Sequence, residues 1–308
     1  MVGLYHRVVE APSVWFSDQK HPPTFFAPFI YNAHAGSFLN FSGAIGFAFC
    51  VSTLDRAASS KSIGWGIVTA LCFLGAIATA SKGAFLVLLI TLALCVLIHR
   101  KRLWEFCLSA RGRSRGQGFE RKLLILASVV LVSGFALVGG QKLVNRMDHL
   151  IEDAKDGSAG TVEGRKGIMR VMLKMGREDE GGWVGFGPGS FESVVPFFFA
   201  DKDYFMPGRW IHGHSDPLQL VVEWGYIGAG LWAVLALGAL YCGAKALREG
   251  GDFTARPLTR GMMVALVSMT LHSSFDFPFG ILSLKLVAIF LCGLLWGGVT
   301  QKASLKDH

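Results

Sequence analysis

Charge is scarce in this sequence. Only 17% of its 308 residues are Asp, Glu, Lys or Arg, while 52% are hydrophobic and the mean hydropathy is +0.44. That is too little charge to cover a soluble protein of this length. A signal peptide is missing as well: "MVGLYHRVVEAPSVWFSDQKHPP" has no continuous apolar core. The six cysteines (Cys50, Cys72, Cys95, Cys107, Cys242 and Cys292) show no CxxC or metal-type spacing. Five of them lie in apolar runs, where a free cysteine acts as a small hydrophobe, and nothing calls for a disulfide or zinc. No short-period repeat occurs. The glycine-rich "GFGPGSF" (185–191) lacks the GK[ST] ending of a P-loop, which argues against a nucleotide site and leaves a tight turn or an anion-binding backbone nest.

Long apolar runs are present instead, and they predict an all-α polytopic membrane protein. Seven spans are expected, at about 36–54, 63–80, 84–99, 123–140, 218–244, 261–277 and 281–299. The fifth is long enough to tilt or protrude. These divide the chain into an N-terminal segment (1–35), a first bundle (36–140), a large loop (141–217), a second bundle (218–300) and a tail (301–308). The formal charge of +8 concentrates in short loops beside apolar runs, which is the pattern of membrane topogenesis rather than of nucleic-acid binding. The loop 99–122 carries eight Lys or Arg against two Glu, and Lys245, Arg248, Arg256 and Arg260 fill the next such loop. Both are expected in the cytoplasm. Alternation then puts 1–35, 81–83, 141–217 and 278–280 outside, which in a bacterial inner membrane means the periplasm. With the N-terminus outside, the simpler expectation is that further spans precede these seven, an odd number of them if the full protein starts in the cytoplasm.

Candidate chemistry collects on the expected outer side. In "HGHSDPLQ" (212–219), Asp216-Pro217-Leu218-Gln219 predicts a helix start with Asp216 as N-cap and Gln219 completing a capping box. His214 then precedes a helix N-terminus, whose free N–H groups favour an anion and the neutral imidazole that a general base needs. The alternative is a polar loop residue near lipid headgroups. A metal-binding pair of His212 and His214 lacks a third ligand. In "GRKGIMRVMLKMGR" (164–177), Lys166, Arg170, Lys174 and Arg177 form one helical stripe opposite Ile168, Met169, Met172 and Met175, predicting an interfacial amphipathic helix. Arg165 stands off that stripe and suits a specific phosphate contact. Lys82, between two spans, either snorkels or faces a lipid-linked phosphate. His272 and Asp276 lie one helical turn apart, a spacing that orients an imidazole or makes a structural hydrogen bond.

These elements resemble the O-antigen ligase family. His214-Ser215, nine residues, then Gly225-Tyr226-Ile227-Gly228 matches its H[NSQ]-x9-G-x-x-[GTY] signature. "APFIYNAHAGSFLN" (27–40), with Asn32 and His34, resembles its Asn/His-rich segment. "TASKGAFL" (79–86), "GRKGIM", "GFGPGSF" and "HSSFDFP" resemble further elements in the same order. Lys82 stands where the family usually has arginine, and an ammonium cannot make a guanidinium's planar fork.

The resemblance implies a GT-C-like bundle, a family of about a dozen spans whose first several are missing here, and a large periplasmic loop with amphipathic helices. It implies a metal-independent, inverting glycosyltransferase that needs no cofactor. That enzyme moves a glycan from undecaprenyl pyrophosphate to a lipid or sugar acceptor hydroxyl. His214 and Arg165 would be catalytic, and Lys82, Arg170, His272, Asp276, Asn32 and His34 would bind substrate. An O-antigen polymerase and a protein O-oligosaccharyltransferase share the signature region. A transporter would place its polar groups at mid-membrane, and a non-catalytic scaffold is the remaining alternative. Besides donor and acceptor, the expected partners are membrane lipids, with no nucleic acid.

Overall fold

The computed structural model describes residues 26, 28–54, 60–109, 162–177, 182–199, 209–249 and 256–306. Their architecture is helical: α1 Asn32–Thr53, α2 Ser60–Ala78, α3 Lys82–Ser109, α4 Val162–Met175, α5 Phe191–Phe198, α6 Asp216–Arg248, α7 Arg256–Ser273, a 3-10 turn Pro278–Gly280, and α8 Leu282–Lys306. Extended pairing among these residues is limited to one bridge between Phe26 and Phe29. Among the described residues, four helices are long and apolar enough to cross a membrane: Asn32–Thr53, Lys61–Ala78, Lys82–Phe106 and Asp216–Arg248. The expected sixth span corresponds to α7, and the seventh lies in α8, whose apolar part Leu282–Gly297 is shorter. The expected span at 123–140 lies outside the described residues.

Hydrocarbon cannot satisfy polar groups, so hydroxyls inside the bundle bond inward. Thr91 donates to Val87 O at 2.7 Å and accepts from the Ser268 hydroxyl at 2.8 Å, tying α3 to α7. Small residues bring helices close, as expected where packing rather than hydrophobicity drives association. A Cβ on Gly36 would meet Ala84 Cβ at 2.3 Å, and one on Gly261 would meet Ala48 Cβ at 2.2 Å. α1 thereby sits against α2, α3 and α7, while α6 packs on α8. Between α6, α7 and α8 lies the cluster of Ala239, Leu266, Met269, Leu284, Cys292 and Leu295.

Helix direction sorts the polar residues to opposite ends. At one end α3 carries Arg100, Lys101 and Arg102 about two turns before its end at Ser109, α6 finishes with Lys245 and Arg248, and α7 begins with Arg256 and Arg260. At the other end meet the starts of α1, α3, α6 and α8 and the end of α7.

The structure corrects several expectations. α1 starts at Asn32, so Asn32 and His34 belong to the helix rather than to a segment before it. α3 runs to Ser109, making the start of the basic loop helical. Ser215, not Asp216, is the N-cap of α6, and it makes no side-chain cap bond. The apolar face of α4 does not await lipid: Ile168, Val171, Met172 and Met175 form a core with Phe191, Val195, Trp210 and Val222. Lys166, Arg170 and Lys174 remain exposed on its far side.

Candidate active site

The long α6 is broken at Gly225, whose φ of 63° and ψ of −176° are open to glycine and essentially closed to other residues. A regular helix would bond Tyr226 N to Val222 O and Ile227 N to Glu223 O. Here Tyr226 N donates to Gly182 O (2.9 Å) and Ile227 N to Trp183 O (3.2 Å). The released carbonyls accept from the same loop: Phe186 N bonds Val222 O and Gly187 N bonds Glu223 O, both at 2.9 Å. Two helical rungs are exchanged for four bonds to the loop 182–187. The glycine-rich loop therefore serves as an insert in a helix, with Gly185, Gly187 and Gly189 all at positive φ. It is more than the simple tight turn considered from sequence.

This insert lies beside the turn that carries His214. Gly213 N donates to Gln219 Oε1 (3.0 Å), Gln219 Nε2 to Glu223 Oε1 (2.9 Å), and Gly189 N to Glu223 Oε2 (3.0 Å). Gln219 does reach back over the helix start, as a capping residue would. Asp216 instead clasps the turn after α7: its Oδ2 accepts from Phe279 N at 2.8 Å, and its N–H donates to Asp276 O at 3.3 Å. His214, between these ties, has φ 50°. Such left-handed backbone costs a non-glycine residue on the order of 1–3 kcal/mol and tends to mark functional sites.

Phe277 is the hub of the site. His212 stacks on it at 4.3 Å between ring centroids, and Tyr31 is parallel to it at 5.8 Å. His34 and His214 meet it edge-on at 4.5 and 5.1 Å. Arg165 Nη2 donates to Tyr31 Oη at 3.1 Å, which brings α4 to the start of α1. Asn32 donates to Thr79 O at 2.8 Å and so fixes α1 on the turn leading to Lys82. Lys82 opens α3, and the neighbouring Gly83 faces Phe275 and His272, its Cβ position lying 3.6 Å from His272 Nε2.

Asp276 does not pair with His272 as the four-residue spacing suggested. α7 ends at Ser273, and the carboxylate turns so that Oδ1 accepts Phe277 N at 2.9 Å and lies 3.8 Å from His214 Nδ1. Burial pushes the Asp276 carboxyl up, but His214, His272 and Arg165 outweigh it and hold the group below the usual value. Burial, then the neighbouring His214, lowers the His212 imidazole. Among the described residues, His34 Nε2, His212 Nδ1, His214 Nδ1, both nitrogens of His272 and Arg165 Nε are buried without a hydrogen-bond partner. So dense a set of unpaired polar atoms is unusual in a finished core. No group of three or more His, Cys, Asp or Glu among these residues is placed to hold a metal ion.

Of the candidates read from sequence, His34, His214, His272, Asp276 and Arg165 are brought together, with Asn32 and Lys82 at the margin. Arg170 lies on the exposed face of α4. Tyr31, Phe277, Gln219 and Glu223 were missed as site residues; their sequence signal was their place inside the motifs and, for Gln219, its capping-box position. Beside the site, a 420 Å³ groove runs between α6, α7 and α8, with apolar walls including Trp232, Leu237 and Ile289 and with Asp216, Gln219 and Lys285 also lining it.

A helical, multi-span membrane protein with a histidine-rich polar site at one end of its bundle is the class that fold and site define. A family model described as O-antigen ligase matches residues 67–233, more than half of the chain, from α2 through the Gly225 break. The chain belongs to the O-antigen ligase family, and with it to enzymes of the ligase/polymerase type. No curated protein and no solved structure matches it.

Proposed function

We propose that this protein is a metal-independent, inverting glycosyltransferase that moves a glycan from undecaprenyl pyrophosphate to an acceptor hydroxyl at the periplasmic face of the inner membrane. The observation that carries the reading is the convergence of His34, His214, His272 and Arg165 on the buried Asp276, with His34 and His214 also edge-on to Phe277. With Nδ1 turned toward Asp276, His214 keeps Nε2 for the acceptor's proton. The acceptor oxygen bonds the anomeric carbon as the bond to the pyrophosphate oxygen breaks, and the electron pair leaves with the pyrophosphate. Arg165 and Lys82 stabilise that leaving charge, Arg165 by a planar fork and Lys82 as a point charge. The apolar groove beside the site supports a lipid-bound substrate. Membership of the family, the basic residues gathered at the far end of the bundle and the positive-inside rule support a site that faces the periplasm.

Single-turnover transfer from a purified undecaprenyl-pyrophosphate glycan tests the assignment. His214→Ala should lower the rate by about 10²–10⁴, the range for acid–base assistance, with donor binding retained. His212→Ala should be milder. A His214→Ala protein as fast as wild type would remove the mechanism.

A further inference from the structure

We propose that Gln219 and Glu223 are positioning residues for the transfer: a strut that clamps the His212–His214 turn to the inserted glycine loop and so sets the direction of the His214 imidazole. This rests on the reading of His214 as the base. The two side chains sit one turn apart on α6, just before its break. Each is used at both of its polar ends. Gln219 accepts from Gly213 N and donates to Glu223, and Glu223 accepts from Gln219 and from Gly189 N. A carboxylate only accepts, so the Gln219 amide has one orientation that fits, with Nε2 toward Glu223 and Oε1 toward Gly213.

Glu223 is doubly committed, because its main-chain carbonyl, released by the break at Gly225, also holds Gly187 N. One residue thus grips two N–H groups of the loop. His214 needs such a grip. Its left-handed backbone has alternatives, and the residue before it is fixed by Gln219 while Asp216, two residues on, is fixed to Asp276. Removing the Gln219 tie frees one side of the turn, and the imidazole is then no longer held against Asp276 and Phe277.

The chemistry of the strut defines its own test. Glu223→Gln keeps the size but offers one acceptor oxygen where two are needed. Gln219→Glu sets two carboxylates against each other. The exchanged pair, Gln219→Glu with Glu223→Gln, restores every bond. Gly213 N and the amide now at position 223 both donate to the carboxylate now at position 219, and Gly189 N donates to the amide oxygen at 223. We expect each single change to lower kcat by about ten- to a hundredfold, the effect of a lost charged hydrogen bond or a small misplacement of a reacting group. KM for the donor should stay near wild type, and the exchanged pair should recover most of the rate. Hydrogen–deuterium exchange on the full-length protein should speed up in 209–215 and 182–190 in both single variants and slow again in the pair. Single variants with wild-type kcat and exchange, or an exchanged pair no better than either single change, would overturn the strut. If His214→Ala alone proves harmless, the reading of the base fails, while the exchange pattern still decides whether the strut holds the turn.

Discussion

Gly185 and Gly225 meet backbone to backbone. A Cβ on Gly185 would lie 2.4 Å from Gly225 N, and one on Gly225 would lie 2.2 Å from Trp183 O. The closing element of the His214 signature and the glycine loop are therefore two halves of one joint. Gly225→Ala brings a backbone cost of about 1–3 kcal/mol on top of that collision. We expect it to expel the loop, restore a continuous helix at 222–227 and lower thermal stability, with transfer lost. Circular dichroism and limited proteolysis within 182–190 check it. A fully active Gly225→Ala protein would show that the joint is dispensable.

Phe277 should be more sensitive than its partial burial suggests. Phe277→Leu keeps an apolar side chain but loses the flat face on which His212 stacks and the edge contacts to His34 and His214. We expect kcat to fall by about tenfold or more, since small misplacements of reacting groups are costly, with Phe277→Tyr closer to wild type. Equal rates for Phe277→Leu and wild type would reduce the hub to filler.

Lys82 discriminates a donor contact from a snorkelling lysine. Loss of a charged hydrogen bond to a phosphate costs about 1.5–3 kcal/mol, so Lys82→Ala should weaken donor use by roughly ten- to a hundredfold. Lys82→Arg should retain or improve it. Unchanged donor affinity and turnover in Lys82→Ala would assign the residue to the lipid interface.

Acidification should destabilise the site through His212. Its imidazole titrates lower in the folded protein than its ordinary 6.5, chiefly through burial and next through His214. The unfolded chain therefore binds more protons, and stability falls as the pH drops below 6.5 until the lowered folded value is passed. His212→Asn removes this contribution. Thermal melts of the variant should depend less on pH in that window than those of wild type, and identical slopes would count against it.

Topology is open to direct mapping. Trp183, 68% exposed in the glycine loop, and Lys245, at the end of α6, should lie on opposite sides of the membrane. Cysteines placed there in turn, in a background with the native cysteines replaced, should react differently with an impermeant thiol reagent added to intact cells. Labelling of both from the same side would overturn the orientation.

Sequence by itself located the long apolar helices and the amphipathic α4, though not α5 or the full length of α3, because apolar length and charge are local properties of the chain. It also put His34, Arg165, His214, His272 and Asp276 on one expected side of the membrane, near the ends of apolar or amphipathic segments. Tertiary structure decided what those residues touch. Hydropathy runs unbroken through 218–244, and the break at Gly225 exists only because the loop 182–187, distant in sequence, supplies the four bonds that replace two rungs. The spacing of His272 and Asp276 suggested a pair, but α7 ends between them and the carboxylate turns to His214. Asp216 looked like a cap and became a clasp on the next turn, because Phe279 N lies within its reach. Each such outcome depends on a backbone group elsewhere in the chain, and local pattern carries no record of which distant N–H or C=O will be left to bond.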